Sequence, residues 1–409
     1  MKRRILSIMC VLILLLTMLS GCYDARGLEE LAYATALGLD VSENDKLKLT
    51  LQISIPSSAG SDSGSSQSNS SESITVECAS LSTGISLINS YVSKEIDLTQ
   101  CNVIVFSEEL AERGITEYVD TFANNINIRP DCNVIVSRCT AQDFINNASP
   151  SVETLTARYY QVALKSNEYT GYTPVTKIAD FTQNMKSDAI QASCILGGVN
   201  FHESSVENGS NASNDQTANY MADQLPIENS DTIETFGTAV FYNDKLVGEL
   251  TGIETVCHLI LRNDIQICDI SVPDPFNTDS YIDLRLNRRG KTKVDIDFIN
   301  GTPYISVDVS VSGYGLSLNE NIDYDSKENL EKYNESAEQY LKLQIENYLY
   351  KTSKDLNSDI TGFGKYAISQ YMTIGEWQSS SWLENYKSAF FDVNVNVNIE
   401  SGLEFNSSP

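Results

Sequence analysis

The segment that most restricts this chain lies near its C-terminus. Phe391, Val393, Val395, Val397 and Ile399 alternate with Asp392, Asn394, Asn396 and Asn398. Successive side chains of a strand point to opposite faces, so this segment must be a strand with one apolar and one wet face. The apolar face needs a cover. Upstream, Leu330, Tyr333, Ala337, Tyr340, Leu341, Ile345, Tyr348 and Leu349 recur at helical spacing. Asp325 and Glu328 stand at capping-box spacing before them. Each such apolar side chain is worth roughly 1.5–3 kcal/mol when buried. A long helix lying over a C-terminal sheet is therefore the expected packing.

The same alternation recurs at Tyr281–Leu286, Val294–Phe298 and Ile305–Val311, which predicts an antiparallel meander. Nearer the start, Leu31–Asp40, a turn at Ser42–Lys46 and the alternating stretch Leu47–Ile55 predict a hairpin. Helical spacing at Leu81, Ile85, Ile88 and Val92 precedes a short apolar strand at Asn102–Phe106, one helix over Glu108–Ile126 and a strand at Asn133–Arg138. The predicted class is α/β in the mixed α+β sense, multidomain, with antiparallel or mixed sheets packed against helices. Composition shifts divide it. Residues 1–21 form a signal peptide, 22–200 an N-terminal α/β region of one or two lobes, 201–230 a polar linker or long loop, and 231–409 a C-terminal α/β domain. A Ser/Gly/Asn-rich flexible loop is expected at 57–73.

The N-terminus carries a processing signal. Lys2, Arg3 and Arg4 precede an apolar run from Ile5 to Leu19, closed by Leu19-Ser20-Gly21-Cys22. As a helix the run would reach about 22 Å at 1.5 Å per residue, short of the roughly 30 Å hydrocarbon core. Small residues directly before a cysteine match the lipobox, in which the thiol takes a diacylglyceryl group before cleavage. Cys22 is thus the expected lipid attachment site, tethering the mature chain to the extracytoplasmic face of a membrane.

Few residues of the chain point to chemistry. The chain has 28 basic and 55 acidic residues, a balance that argues against nucleic-acid binding. Seven cysteines remain after Cys10 and Cys22: Cys78, Cys101, Cys132, Cys139, Cys194, Cys257 and Cys268. None forms C-x-x-C, and an odd number cannot all pair within one chain; one disulfide is compatible with an extracytoplasmic setting, its partners left open. His202 opens the polar linker, and His258 lies in an apolar helix as a packed residue. Asp62-Ser63-Gly64 sits in a serine-rich run that cannot hold a nucleophile in place. Gly362-Phe363-Gly364-Lys365-Tyr366-Ala367 has dinucleotide-fingerprint spacing but follows a helix, and is expected to be a tight turn. Asp40, Ser42, Asn44 and Asp45 hint at a calcium loop, yet Asp45 and Leu51 occupy the positions that need glycine and glutamate. No catalytic, metal or cofactor residues are assigned.

Several ordered blocks carry a resemblance. They are Gly21-Cys22-Tyr23-Asp24-Ala25-Arg26 with Glu29-Glu30-Leu31-Ala32; Ala36-Leu37-Gly38-Leu39-Asp40; Asn102–Ala111 with Gly114-Ile115; Gly237–Phe241 followed by Asp244–Gly248 and Glu254-Thr255; and Asp359–Gly364 with Trp382. The chain resembles the Ger(x)C spore germination proteins, with Tyr23 where that family usually has tryptophan and with 57–73 and 203–230 as extended loops. The resemblance implies a non-enzymatic lipoprotein subunit of a spore nutrient germinant receptor. Its expected setting is the spore inner membrane, and its expected partners are an A subunit and a permease-like B subunit. It implies an α/β fold in several domains and no cofactor. A solute-binding lipoprotein of a transporter is the alternative; such proteins need two doubly wound lobes, against which the terminal meander argues.

Overall fold

The computed structural model describes residues 3–9, 30–55, 71–125, 127–148, 156–165, 169–200, 218–227, 232–317 and 326–400. The first sheet begins with β1 (Leu31–Val41), β2 (Leu47–Ser54) and β3 (Ser71–Cys78). Then come α1 (Leu81–Tyr91), β4 (Glu95–Asp97), β5 (Val103–Ser107), α2 (Glu108–Arg113), α3 (Thr116–Ala123), β6 (Asn133–Ser137), α4 (Ala141–Asn146), α5 (Thr156–Ala163), α6 (Ile178–Met185) and β7 (Ser193–Val199). Two more strands, β8 (Ile233–Tyr242) and β9 (Lys245–Leu250), complete it. The order is β3-β2-β1-β5-β6-β7-β8-β9, with β4 beside β1.

β1, β5, β6 and β7 run parallel, and hairpins extend the sheet on both sides. The parallel strands are buried on both faces, as their unbroken apolar runs require. One face packs Leu37, Ile104, Phe106 and Val136 against α1, α2, α3 and α6. The other packs Val103, Val105 and Ile135 against Phe144, Ile145 and Tyr160 of α4 and α5.

The expected boundary within 201–230 does not separate the sheets. β8 pairs antiparallel with β7, so the expected units 22–200 and 231–409 share one sheet.

The chain leaves the first sheet through α7 (Gly252–Arg262) and enters a second. That sheet comprises β10 (Ile267–Asp274), β11 (Asn277–Arg288), β12 (Lys293–Ile299), β13 (Thr302–Ser317) and, after α8 (Lys327–Tyr350), β14 (Phe390–Ile399). The meander is modified. β13 pairs with β12 through its first half and with β11 through its second, so β11 and β12 lie end to end along one of its edges. β14 takes the other edge, parallel to β13 over Tyr304–Gly313. The crossover through α8 makes that parallel pairing possible. The apolar face of α8 is the expected one: Tyr333, Ala337, Leu341, Ile345, Tyr348 and Leu349 are buried. Its start is not. Ser326 is the N-cap and makes no side-chain capping bond, while Asp325 falls outside the described residues. On its polar side α8 guards the sheet edge: Glu338 Oε1 accepts from Val397 N–H at 3.0 Å and Asn334 Oδ1 from Ile399 N–H at 2.8 Å. Those N–H groups would otherwise invite a foreign strand.

Candidate functional site

Between α8 and β14 the chain makes a compact buried knot. A π-turn over Lys351–Asp355 ends α8, and α9 (Gly364–Ala367), α10 (Ile374–Ser379) and α11 (Trp382–Asn385) follow. At the centre lies Asp359, fully buried. Its Oδ1 accepts from the N–H of Gly362 at 2.8 Å and of Phe363 at 3.0 Å. Its Oδ2 accepts from Gly364 N–H at 2.9 Å and from the Trp382 indole N–H at 2.8 Å. Burial raises its pKa above the ordinary carboxyl value, and these four donors pull the other way. The glycine-rich stretch is thus the expected tight turn. Gly362 has a positive φ of 85°. A Cβ on Gly364 would stand 2.4 Å from the Ala189 carbonyl oxygen and 2.6 Å from the indole nitrogen, which only glycine avoids.

The knot fastens the second sheet to the first. Ser358 Oγ donates to the Phe241 carbonyl at 2.6 Å, and the Asp359 carbonyl accepts from Gln191 N–H at 2.9 Å. Gln191 Oε1 in turn accepts from Asn243 N–H at 2.7 Å in the β8–β9 turn. Sequence reasoning missed Gln191 and Ser358, because an isolated polar residue gives no periodic signal.

Other blocks behind the resemblance also meet in space. Gly114, at φ 118°, breaks the expected Glu108–Ile126 helix into α2 and α3. Ile115 N–H then donates to the Asp244 carbonyl at 3.1 Å, and Thr116 Oγ1 to Asp244 Oδ2 at 2.9 Å. Gly237, at φ 97°, passes so close to Leu250 that a Cβ would sit 2.4 Å from its carbonyl oxygen. Glu254 closes a capping box with Thr251 and binds Lys351 Nζ at 2.7 Å, tying α7 to the end of α8. Thr255 shares a 2.9 Å hydrogen bond with Thr238 of β8. These residues join the two sheets or hold the turns that join them.

A polar cavity of about 410 Å³ opens beside the joint, between α6 and α7. Asp180, Asn184, His258, Arg262, Asp264 and Lys365 help line it. His258 is packed, as expected: it is buried, and its Nδ1 shares a 2.8 Å hydrogen bond with the Tyr348 hydroxyl. Tyr348 passes the chain on to Thr361 Oγ1 at 2.7 Å. Burial, with Arg262 nearby, holds the imidazole well below its ordinary 6.5, so it is neutral in the fold.

That shift has a measurable sign. The unfolded chain protonates His258 below about 6.5 and the fold does not. Its contribution to stability is therefore full above 6.5 and falls as pH drops toward the folded value, by about 1.4 kcal/mol per pH unit. Asp40 and Asp359, raised from 3.8 by burial, run the opposite way. Their contribution is full below 3.8 and lost as pH rises through the folded values. Urea titrations of the wild type and His258→Asn from pH 7 to 5 separate the two, since the carboxyls are common to both. The wild type should lose stability relative to the variant; parallel curves would refute a neutral His258.

The other candidate residues scatter. Asp40 is buried and accepts from the N–H of Ala141 at 2.7 Å and of Gln142 at 3.0 Å, at the N-terminus of α4. Ser42 and Asp45 belong to the β1–β2 turn, and Asp45 pairs with Arg113 at 2.6 Å. These contacts give the acidic stretch a structural role. Among the described residues no group of three His, Cys, Asp or Glu side chains could hold a metal ion. Cys22, His202 and Asp62–Gly64 lie outside the described residues. No helix among the described residues is long and apolar enough to cross a membrane.

A family model described as the spore germination protein N-terminal domain matches residues 24–196, and one described as "Spore germination B3/ GerAC like, C-terminal" matches 236–402. The chain is 24% identical to spore germination protein KC of Bacillus subtilis (strain 168) over 389 residues, 93% of this chain and 91% of that protein. It is 19% identical to spore germination protein GerQC of Bacillus cereus over 314 residues, 76% of this chain and 77% of that one. The crystal structure of the GerBC protein superposes with a TM-score of 0.53 at 16% identity, covering 92% of this chain and 99% of that one. The chain belongs to the Ger(x)C family of spore germination proteins, the C subunits of germinant receptors.

Proposed function

We propose that this chain is the lipid-anchored C subunit of a nutrient germinant receptor, held at the outer face of the spore inner membrane through Cys22 and acting by contact with the A and B subunits. The observation that carries the reading is the span of the family match, which takes in both halves of the chain. The lipobox at Leu19–Cys22 supports the anchor. The site chemistry supports a non-enzymatic role: the best-formed polar constellation, around Asp359, has its carboxylate oxygens occupied by the protein's own N–H donors. The transporter-lipoprotein alternative needs a second doubly wound lobe, whereas the second sheet is antiparallel except for β13–β14.

Affinity capture of the tagged chain from detergent-solubilised spore membranes tests the reading. The A and B subunits should co-elute in stoichiometric amounts. Elution alone, with A and B still paired to each other, would overturn it.

A further inference from the structure

We propose that Cys101 and Cys132 are disulfide partners, joined as the chain folds outside the cytoplasm; the compartment, though not the pairing, rests on the proposed function. The two residues stand in short turns at the starts of adjacent parallel strands. Cys101 N–H donates to the Leu98 carbonyl at 3.0 Å and Cys132 N–H to the Arg129 carbonyl at 3.1 Å. The β5–β6 register sets Val103 opposite Asn133, and Asn133 N–H donates to the Asn102 carbonyl at 2.9 Å. One step back, Cys132 lies beside Asn102 and diagonal to Cys101. The turns before the two strands, not the strand pleat, bring both side chains into one core cluster. The sulfurs are already 3.9 Å apart and hydrogen bonded. Among the described residues no other two thiols share a hydrogen bond.

The surroundings suit a structural cross-link. Cys101 is 3% exposed and Cys132 1%. Both pack in the core cluster that holds Leu110, Ile115, Val119 and Phe122 of α2, the α2–α3 junction and α3. A bond here would close the β5–α2–α3–β6 crossover on itself, the unit whose Gly114–Thr116 segment grips Asp244 in the β8–β9 turn.

The chemistry balances through thiol–disulfide exchange. The thiolate of one cysteine attacks a sulfur of an external disulfide, forming a mixed disulfide and releasing one thiol. The second cysteine attacks the protein sulfur of that intermediate and releases the other thiol. Two protein thiols lose two electrons, the oxidant disulfide gains them, and the two protons pass to its leaving thiolates. In the folded chain, hydrogen bonding to Cys101 together with burial pushes the Cys132 thiol well up, so it stays protonated and attacks slowly. Closure therefore belongs to folding, before the core shuts.

The test uses the full chain, unfolded and refolded in a buffer of glutathione and its disulfide, then alkylated and digested without reduction. Mass spectrometry should find the Cys101–Cys132 cross-linked peptide as the dominant disulfide. The oxidised protein should melt several degrees above the reduced one, a difference that Cys101→Ala/Cys132→Ala abolishes. Alkylation of both cysteines in the refolded protein, or scrambling over other pairs, would overturn the proposal. The same digest of membranes, thiol-blocked at lysis, separates the two readings. The cross-linked peptide there supports both; its absence there, with closure in the glutathione buffer, upholds the pairing and counts against the extracytoplasmic placement.

Discussion

Replacing Asp359 with alanine should remove most of the cooperative stability of the joint between the two sheets. Four buried donors lose their acceptor at once: three backbone N–H groups and the Trp382 indole. A buried donor left unpaired costs about 1–3 kcal/mol, so a loss of roughly 4 kcal/mol or more is expected against a typical total of about 5–15 kcal/mol. Asp359→Asn should rescue little. Its amide nitrogen would have to face either the Gly362 and Phe363 N–H groups or the Gly364 and indole N–H groups, donor against donor in either orientation. Trp382→Phe, which keeps a ring and loses one donor, should cost less than either. The readout is built in: the two tryptophans of the chain, Trp377 and Trp382, stack 6.1 Å apart within the knot. Fluorescence-monitored urea unfolding therefore reports on the joint itself. Asp359 variants within about 0.5 kcal/mol of wild type would show that the knot carries no stability.

What the sequence discloses and what it hides follow from the range of the forces concerned. Periodicity records which face of an element is buried, so β1–β2, α1, α8 and β14 are legible within a few residues. The partner of a strand is not recorded. The alternation in β11, β12 and β13 is the same whether they form a meander or, as here, β11 and β12 share one edge of β13. The polar stretch at 201–230 marks an interruption and cannot say that β7 and β8 pair across it. A single φ escapes as well: Gly114 splits what amphipathic spacing presents as one helix. At the site, the glycines of 362–364 are legible as a turn. Asp359 lies within one of the family blocks, but its central position depends on Trp382, 23 residues on, folding back onto it. The thiol pairing is similarly closed to sequence: seven cysteines allow many pairs, and the turns that lead into β5 and β6 bring one pair together.

Cys22→Ala should abolish acylation and move the protein from the detergent phase to the aqueous phase on extraction of membranes. Two long acyl chains contribute on the order of 20 kcal/mol at about 0.8 kcal/mol per buried CH₂. Electrostatics oppose them. Cleavage before Cys22, as proposed, would remove Lys2, Arg3 and Arg4 and leave 25 basic residues against 55 acidic ones, a formal charge of −30. Anionic lipid repels such a body, yet each charge near the surface contributes only about 1 kcal/mol and is screened within roughly 8–10 Å. Under the proposed anchoring the lipid would therefore decide the outcome, and the acidic body would stand off the bilayer. Without it only the uncleaved run Ile5–Leu19 is left to hold the chain, and that run is shorter than a stable span requires. Incorporation of labelled fatty acid and the mass of the N-terminal peptide give two independent readouts. In the wild type the label should sit on a peptide beginning at Cys22; in the variant both label and cleavage should be lost, and germination through the receptor should fall with them. A Cys22→Ala protein that still takes up label, or that is still cleaved and yet partitions wholly into detergent, would remove Cys22 as the anchor.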